Sequence, residues 1–242
     1  MRDSNRTGGV SALVQAIFFL LIPVGFLLVL PRTGLALADL SNPEKLLAFS
    51  TKNALLMWFD AAMIIAAAAI VVLALVLQDR LRDAAPFAMR YAVIAASIGA
   101  ALMVASGVVD IYDLSALSAV YKAGGAMETM ATAAYAGVGT LAVGLFWAGL
   151  LAYGVSVLVT SWVALQARVF APALNYVGLA WGVLAILSVF AYLSPTLFTA
   201  ALIVPLVGLV WAGWHAWRML GAGAGVRTQT RARTHQAATP PA

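Results

Sequence analysis

Six long apolar runs dominate the chain, at about 10–30, 55–78, 90–112, 130–165, 172–193 and 196–218. Apolar and polar residues do not alternate within them, as they would in a membrane β-strand. A helix needs about 20 mostly apolar residues to cross about 30 Å of hydrocarbon. The pattern therefore predicts an all-α fold, a polytopic membrane helix bundle of six transmembrane helices over residues 1–220.

Three details refine these elements. The first run holds Pro23, which removes one helical hydrogen bond and predicts a bent or irregular stretch there. Its apolar core, Val10 to Leu30, exceeds the roughly 7–15 residues of a secretory signal, which favours a retained helix. Before the second run, Ser41-Asn42-Pro43-Glu44 reads as a helix start, with Asn42 as the cap, Pro43 in the first position and Glu44 complementing the dipole. From Pro43 to Arg82 such a helix would reach about 60 Å, so it must project, tilt or break, and Ser50-Thr51-Lys52-Asn53 is the candidate bend. The fourth run, Met130 to Leu165, is long for one crossing and barely enough for two; no charge marks a turn inside it, which favours one long helix. Small residues recur along it every four positions from Ala136 through Gly144 and Ser156 to Ala164. Such a ladder lets helix backbones approach closely. The ladder fits packing within the chain, and its alternative is a homo-oligomer or membrane-partner seam.

Charge orients the bundle. Arg2, Arg6, Arg80, Arg82, Arg90, Arg168, Arg218, Arg227, Arg231 and Arg233 border one side; Arg32, Lys45, Lys52 and Lys122 border the other. The excess of basic residues marks the cytoplasmic side, so both termini are expected inside, N-in and C-in. Residues 221–242, low in apolar bulk and rich in Gly, Ala, Thr and Arg, read as a disordered basic cytoplasmic tail. The net charge of +5 thus reports topology and does not point to nucleic acid. Only 10% of residues are charged, against about 25% in soluble domains. Without cysteine, disulfides, thiol catalysis and thiolate metal or iron–sulfur sites are excluded.

The candidate chemistry is narrow. Asp60 interrupts LLMWFDAAMIIAAAAIVVLALVL, and an ionisable group inside a span is a functional candidate by default. Counting about 20 residues back from Gln78 puts Asp60 about one turn beneath the outer surface. Asp110, Asp113, Lys122 and Glu128 are expected at the same level, so these five form a candidate outward-facing polar pocket. Lys122, Tyr112, Tyr121 and Tyr135 are candidate donors to its carboxylates. Three readings stay open: a polar network tying helices together, a cation or proton site, and a ligand pocket. His215, between Trp214 and Trp217, is expected at the inner interface, and two histidines make no haem or zinc site. There is no HExxH, GxSxG or P-loop, so no catalytic residue, metal or cofactor is expected. The midplane reads as apolar and no repeat relates the two halves, which weakens a transporter reading.

Certain motifs resemble the uncharacterised bacterial membrane family called domain of unknown function forty-three eighty-six. They are Ser41-Asn42-Pro43 leading into a helix with the early Asp60, Arg90 opening the next span, and Arg168-Val169-Phe170-Ala171-Pro172 followed by Leu174, Gly178 and Gly182. The resemblance implies a six-helix bacterial inner-membrane protein and supplies no activity. The expected function is a structural, accessory or sensory membrane protein with a polar pocket around Asp60; the alternative is a small-solute or cation/proton transporter using Asp60. The expected partner is the lipid bilayer.

Overall fold

The computed structural model describes the backbone of residues 2–237 and the side chains of 3–191, 194 and 196–221. Among the described residues there is no strand, and six helical segments are long and apolar enough to cross a membrane. The first is α1 (Arg2–Val24), continued through a π-helical turn at Gly25–Val29 into the short α2 (Leu30–Arg32). The irregular turn lies between Pro23 and Pro31, and it is Pro31, with no N–H for the Leu27 carbonyl, that interrupts the α-helical ladder there. Packing uses it: a Cβ at Gly25 would lie 2.0 Å from the Phe59 ring, which stacks on Phe26 at 5.5 Å.

A short helix, α3 (Pro43–Ser50), precedes α4 (Leu55–Leu81). The Asn42 side chain accepts from the backbone N–H groups of Glu44 and Lys45 at 3.1 and 3.3 Å, capping α3. The chain breaks over 51–54 and Asn53 accepts from the Leu55 N–H at 2.9 Å. This break resolves the excess length between Pro43 and Arg82. Then come α5 (Pro86–Lys122) and α6 (Ala126–Ala167), joined by Gly124 and Gly125 at φ 76° and 61°. α6 is one unbroken helix of 42 residues, so the fourth run is a single element. It ends at Arg168 in the left-handed region, φ 54°, where the Val169 N–H returns to the Ala164 carbonyl at 3.3 Å. α7 (Pro172–Leu187) runs into a 3-10 segment at Ser188–Leu193, followed by α8 (Pro195–Ala201) and α9 (Val204–Ala237). The tail expected over 221–242 lies outside the described residues in its side chains beyond 221 and entirely from 238.

The six helical segments form a closed ring. α1 packs on α4, α4 on α5, α5 on α6, α6 on α7, α7 on α9, and α9 on α1. Two back-to-back glycine contacts set the spacing. A Cβ at Gly99 would lie 2.7 Å from the Gly149 carbonyl oxygen, and one at Gly182 would lie 2.8 Å from that of Gly154. These bring α5 against α6 and α6 against α7 backbone to backbone. The ladder on α6 divides accordingly: Ser156, Thr160 and Ala164 are buried, whereas Ala136, Thr140, Gly144 and Ala148 are exposed. Inside the ring, Trp181, Leu73, Leu77, Val157 and Gln15 are almost wholly buried. Phe19 and Tyr153 close on Trp181 with ring centroids 5.4 and 4.9 Å away.

One end of the ring carries α1's start, the α4–α5 and α6–α7 turns and the descending α9; it is called the terminal end below. The other end carries a cap. α5 continues past Asp110 to Lys122, about 18 Å at helical rise, and α6 returns beside it while α3 packs across both. Leu47, Leu114, Ala131 and Tyr135 give this cap its own small core.

The glycine contacts generate a paired expectation. Gly99→Ala forces a methyl into a backbone, and overpacking of this kind costs about 1–3 kcal/mol. Gly144→Ala meets open space and should be nearly neutral. Thermal unfolding in detergent should therefore separate the two; equal midpoints would show that the α5–α6 crossing is not close.

Candidate functional site

Asp60 is in the second turn of α4, 21 residues before its end at Leu81, so helical rise places it about 31 Å from the terminal end. That is about one hydrocarbon thickness, and it puts Asp60 where the bundle meets the cap. Helix α5 comes close here because Gly107 has no side chain: a Cβ there would lie 3.2 Å from the Asp60 carbonyl oxygen and 3.0 Å from Met63. The next inward-facing α5 residue one turn on is Asp110, and its carboxyl lies within hydrogen-bonding reach of the Asp60 carboxyl. From α6, the buried Tyr135 donates its hydroxyl to Asp110 Oδ1 at 2.9 Å. One turn deeper, Ser106 donates to the Ala142 carbonyl at 2.7 Å and fixes the α5–α6 register.

The chemistry of this contact is constrained. An ionised carboxylate is an acceptor only. Asp60 Oδ2 is buried and receives no hydrogen bond from any donor, and no Lys or Arg lies within ion-pair distance of Asp60 or Asp110 among the described residues. Two facing acceptors repel; with one proton between them the same contact becomes a short charge-assisted hydrogen bond. The arrangement can thus hold or release a proton, and its geometry depends on which.

The other three residues of the expected pocket lie elsewhere on the cap. Asp113, one turn above Asp110, is close enough to act on it electrostatically. Lys122 is exposed at the end of α5. Glu128 is on the first turn of α6 and meets the Tyr121 hydroxyl. With Glu44, Thr129, Thr132, Ala133 and Ala136 it lines a separate open groove of about 420 Å³, and Asp60 is not part of that groove. Tyr112 points away and is 72% exposed. Lys52, in the break before α4, is exposed as well. Still farther out, Lys45 donates to Asp39 and the Ala36 N–H donates to it at 3.0 Å. These contacts hold the Asp39 carboxyl below its ordinary value of 3.8. The tie between the Leu37–Ser41 turn and α3 is complete above that value and loosens as pH falls through the lowered one.

A second polar group was missed in reading the midplane as apolar. Gln15 on α1 donates to the Ala69 carbonyl of α4 at 3.0 Å and accepts from the Tyr153 hydroxyl of α6. Its signal was present, because Gln15 is the most polar side chain of the first span. It joins three helices where water cannot, so it reads as structural. His215 stays near the terminal end but is turned into the bundle: it is 3% exposed, edge-on to Trp211 and Phe170 with centroids 4.7 and 5.1 Å away. The covering ring comes from the α6–α7 turn, which spacing along α9 could not reveal. Among the described residues, no group of three or more His, Asp or Glu side chains is arranged to hold a metal ion.

Tyr135→Phe removes the one neutral donor to Asp110 and should lower stability by about 1–2 kcal/mol. Tyr112→Phe on the exposed face should stay within about 0.5 kcal/mol of wild type. Chemical or thermal unfolding of both variants checks the pair, and equal losses would mean that the Tyr135 hydroxyl contributes nothing specific.

No family model matches the chain, and no curated protein or solved structure matches it either.

Proposed function

We propose that this is a multi-pass inner-membrane protein, both termini cytoplasmic, that works as a sensory or accessory module through its outward-facing cap. The carrying observation is the contact between Asp60 on the bundle and Asp110 at the root of the cap, with Tyr135 bonded to it. A proton held there favours docking of the cap; its loss sets two like charges face to face and favours loosening. Protons outside the cell would then change the shape of the exposed α3 and the α5–α6 tip, which a partner or the membrane surface could read.

Three features support this reading. Ten basic and three acidic residues belong to the terminal end, against four basic and six acidic at the cap end; that asymmetry favours the terminal end as cytoplasmic. The centre of the ring is occupied by large buried side chains, Trp181 and Gln15 among them, which favours a sensor over a solute path. The resemblance to the uncharacterised bacterial family agrees with a bacterial inner membrane. A second reading, a cation or proton transporter using Asp60, draws on one observation: the unbonded, buried Asp60 Oδ2.

Asp60→Asn tests both. An amide donates to Asp110 whatever the pH. Protection of the cap amides, after correction for their intrinsic pH-dependent exchange, should therefore fall with rising external pH in wild type and become pH-independent in the variant, with the fold kept. If protection shows the same pH dependence in both, the sensory reading fails. If the variant instead abolishes ion- or pH-driven flux in proteoliposomes, the transporter reading replaces it.

A further inference from the structure

At the opposite end of the bundle, Arg80 has no counterion among the described residues. Its guanidinium is half-buried between α1, α4, α9 and the α6–α7 turn. One N–H group donates to Asn5 Oδ1, and the charge lies 6.0 Å from the centre of the Phe170 ring. The neighbouring acids are turned elsewhere: Asp79 and Asp83 approach Arg82, at 3.9 and 4.0 Å, in exposed pairs. A helical side chain leans toward its helix's N-terminus, so Arg80 reaches back into the bundle from the end of α4. There it acts electrostatically on His215, which is 3% exposed and makes no hydrogen bond among the described residues. Phe170 and Trp211 pack edge-on against the His215 ring. Asn175 lies one turn before Gly178, which meets Trp211; His215 lies one turn after Trp211 on the antiparallel α9. Asn175 is thus level with His215, and it carries a buried Nδ2 with no acceptor.

A guanidinium has five donors in a planar fork. Here one is committed and the rest have no acceptor among the described residues. A cation and a nitrogen-bearing ring, neither with an acceptor beyond Asn5 among the described residues, lie near each other at the end where basic residues are concentrated. An anion with several oxygens would satisfy both. We infer that the terminal end holds a binding site for a phosphate-class oxyanion. Arg80 is its fork, Asn5 orients the fork, and His215 closes the site on the protein side. The exposed half of Arg80 faces the incoming anion; Arg6 and Arg218, also exposed, are hydrogen-bonded to neither Arg80 nor His215 among the described residues and serve as controls. The oxygens could come from a lipid headgroup or from a free phosphate.

The full chain in non-ionic detergent, titrated with sodium phosphate against sodium chloride at matched ionic strength, tests this through its thermal midpoint. Wild type should show a saturable rise with phosphate alone. Arg80→Gln should abolish it. Arg80→Lys, which keeps charge and loses the fork, should weaken apparent affinity by about tenfold. His215→Phe keeps the ring contacts and should also weaken it, whereas Arg6→Gln and Arg218→Gln should not. In nanodiscs, a phosphate response suppressed by phosphatidylglycerol, but not by phosphatidylcholine, identifies a headgroup as the source; a response that persists in both identifies a free anion. The site is refuted if wild type responds equally to chloride, if the rise survives Arg80→Gln, or if Arg218→Gln removes it equally. Should Arg80→Gln fail to fold, phosphorus NMR of inorganic phosphate decides: broadening by wild type but less by Arg80→Lys is expected, and no broadening by wild type refutes the site.

Discussion

A polar group inside hydrocarbon has only the protein to bond with. The arrangement of this bundle follows from how each such group is answered. Gln15 is answered twice, by the Ala69 carbonyl and the Tyr153 hydroxyl, and so joins α1, α4 and α6 at the heart of the ring. Asp110 is answered once, by Tyr135. Asp60 is answered only by another carboxyl. The first arrangement involves no carboxyl, whereas under the proposed function the last is complete only with a proton. The filled core thus lies below, and the carboxyl contact lies where the cap begins.

The glycines make this separation workable. Gly99, Gly149, Gly154 and Gly182 lock α5, α6 and α7 together below the polar contact, and Gly107 brings α4 to α5 at its level. Above it, α3 and the small core around Leu47 and Leu114 pack on the paired outer ends of α5 and α6.

Much of this was legible in the sequence. The six spans, the Asn42 cap, the break after Ser50 and the single long α6 all follow from hydrophobic length, cap chemistry and the lack of charges within residues 130–165. The level of Asp60 followed from counting residues along its helix. What spacing could not supply was which residues face one another. It brought Asp60, Asp110, Asp113, Lys122 and Glu128 to one end. The structure pairs Asp60 with Asp110, places Asp113 nearby, and leaves Lys122 and Glu128 to the outer cap. That difference is one of height, because α5 continues about 18 Å past Asp110 before it reaches Lys122 and α6 starts from there. His215 shows the same limit, because the ring that covers it comes from a turn between two other spans.

The central claim is that one proton lies between Asp60 and Asp110 while the cap is docked. Infrared difference spectroscopy of the membrane-embedded protein observes it directly through the carbonyl stretch of a protonated carboxyl. The account requires a band that disappears as the cap loosens with rising external pH and that is absent in both Asp60→Asn and Asp110→Asn. A docked cap with no such band, or a band unchanged by both substitutions, would contradict it.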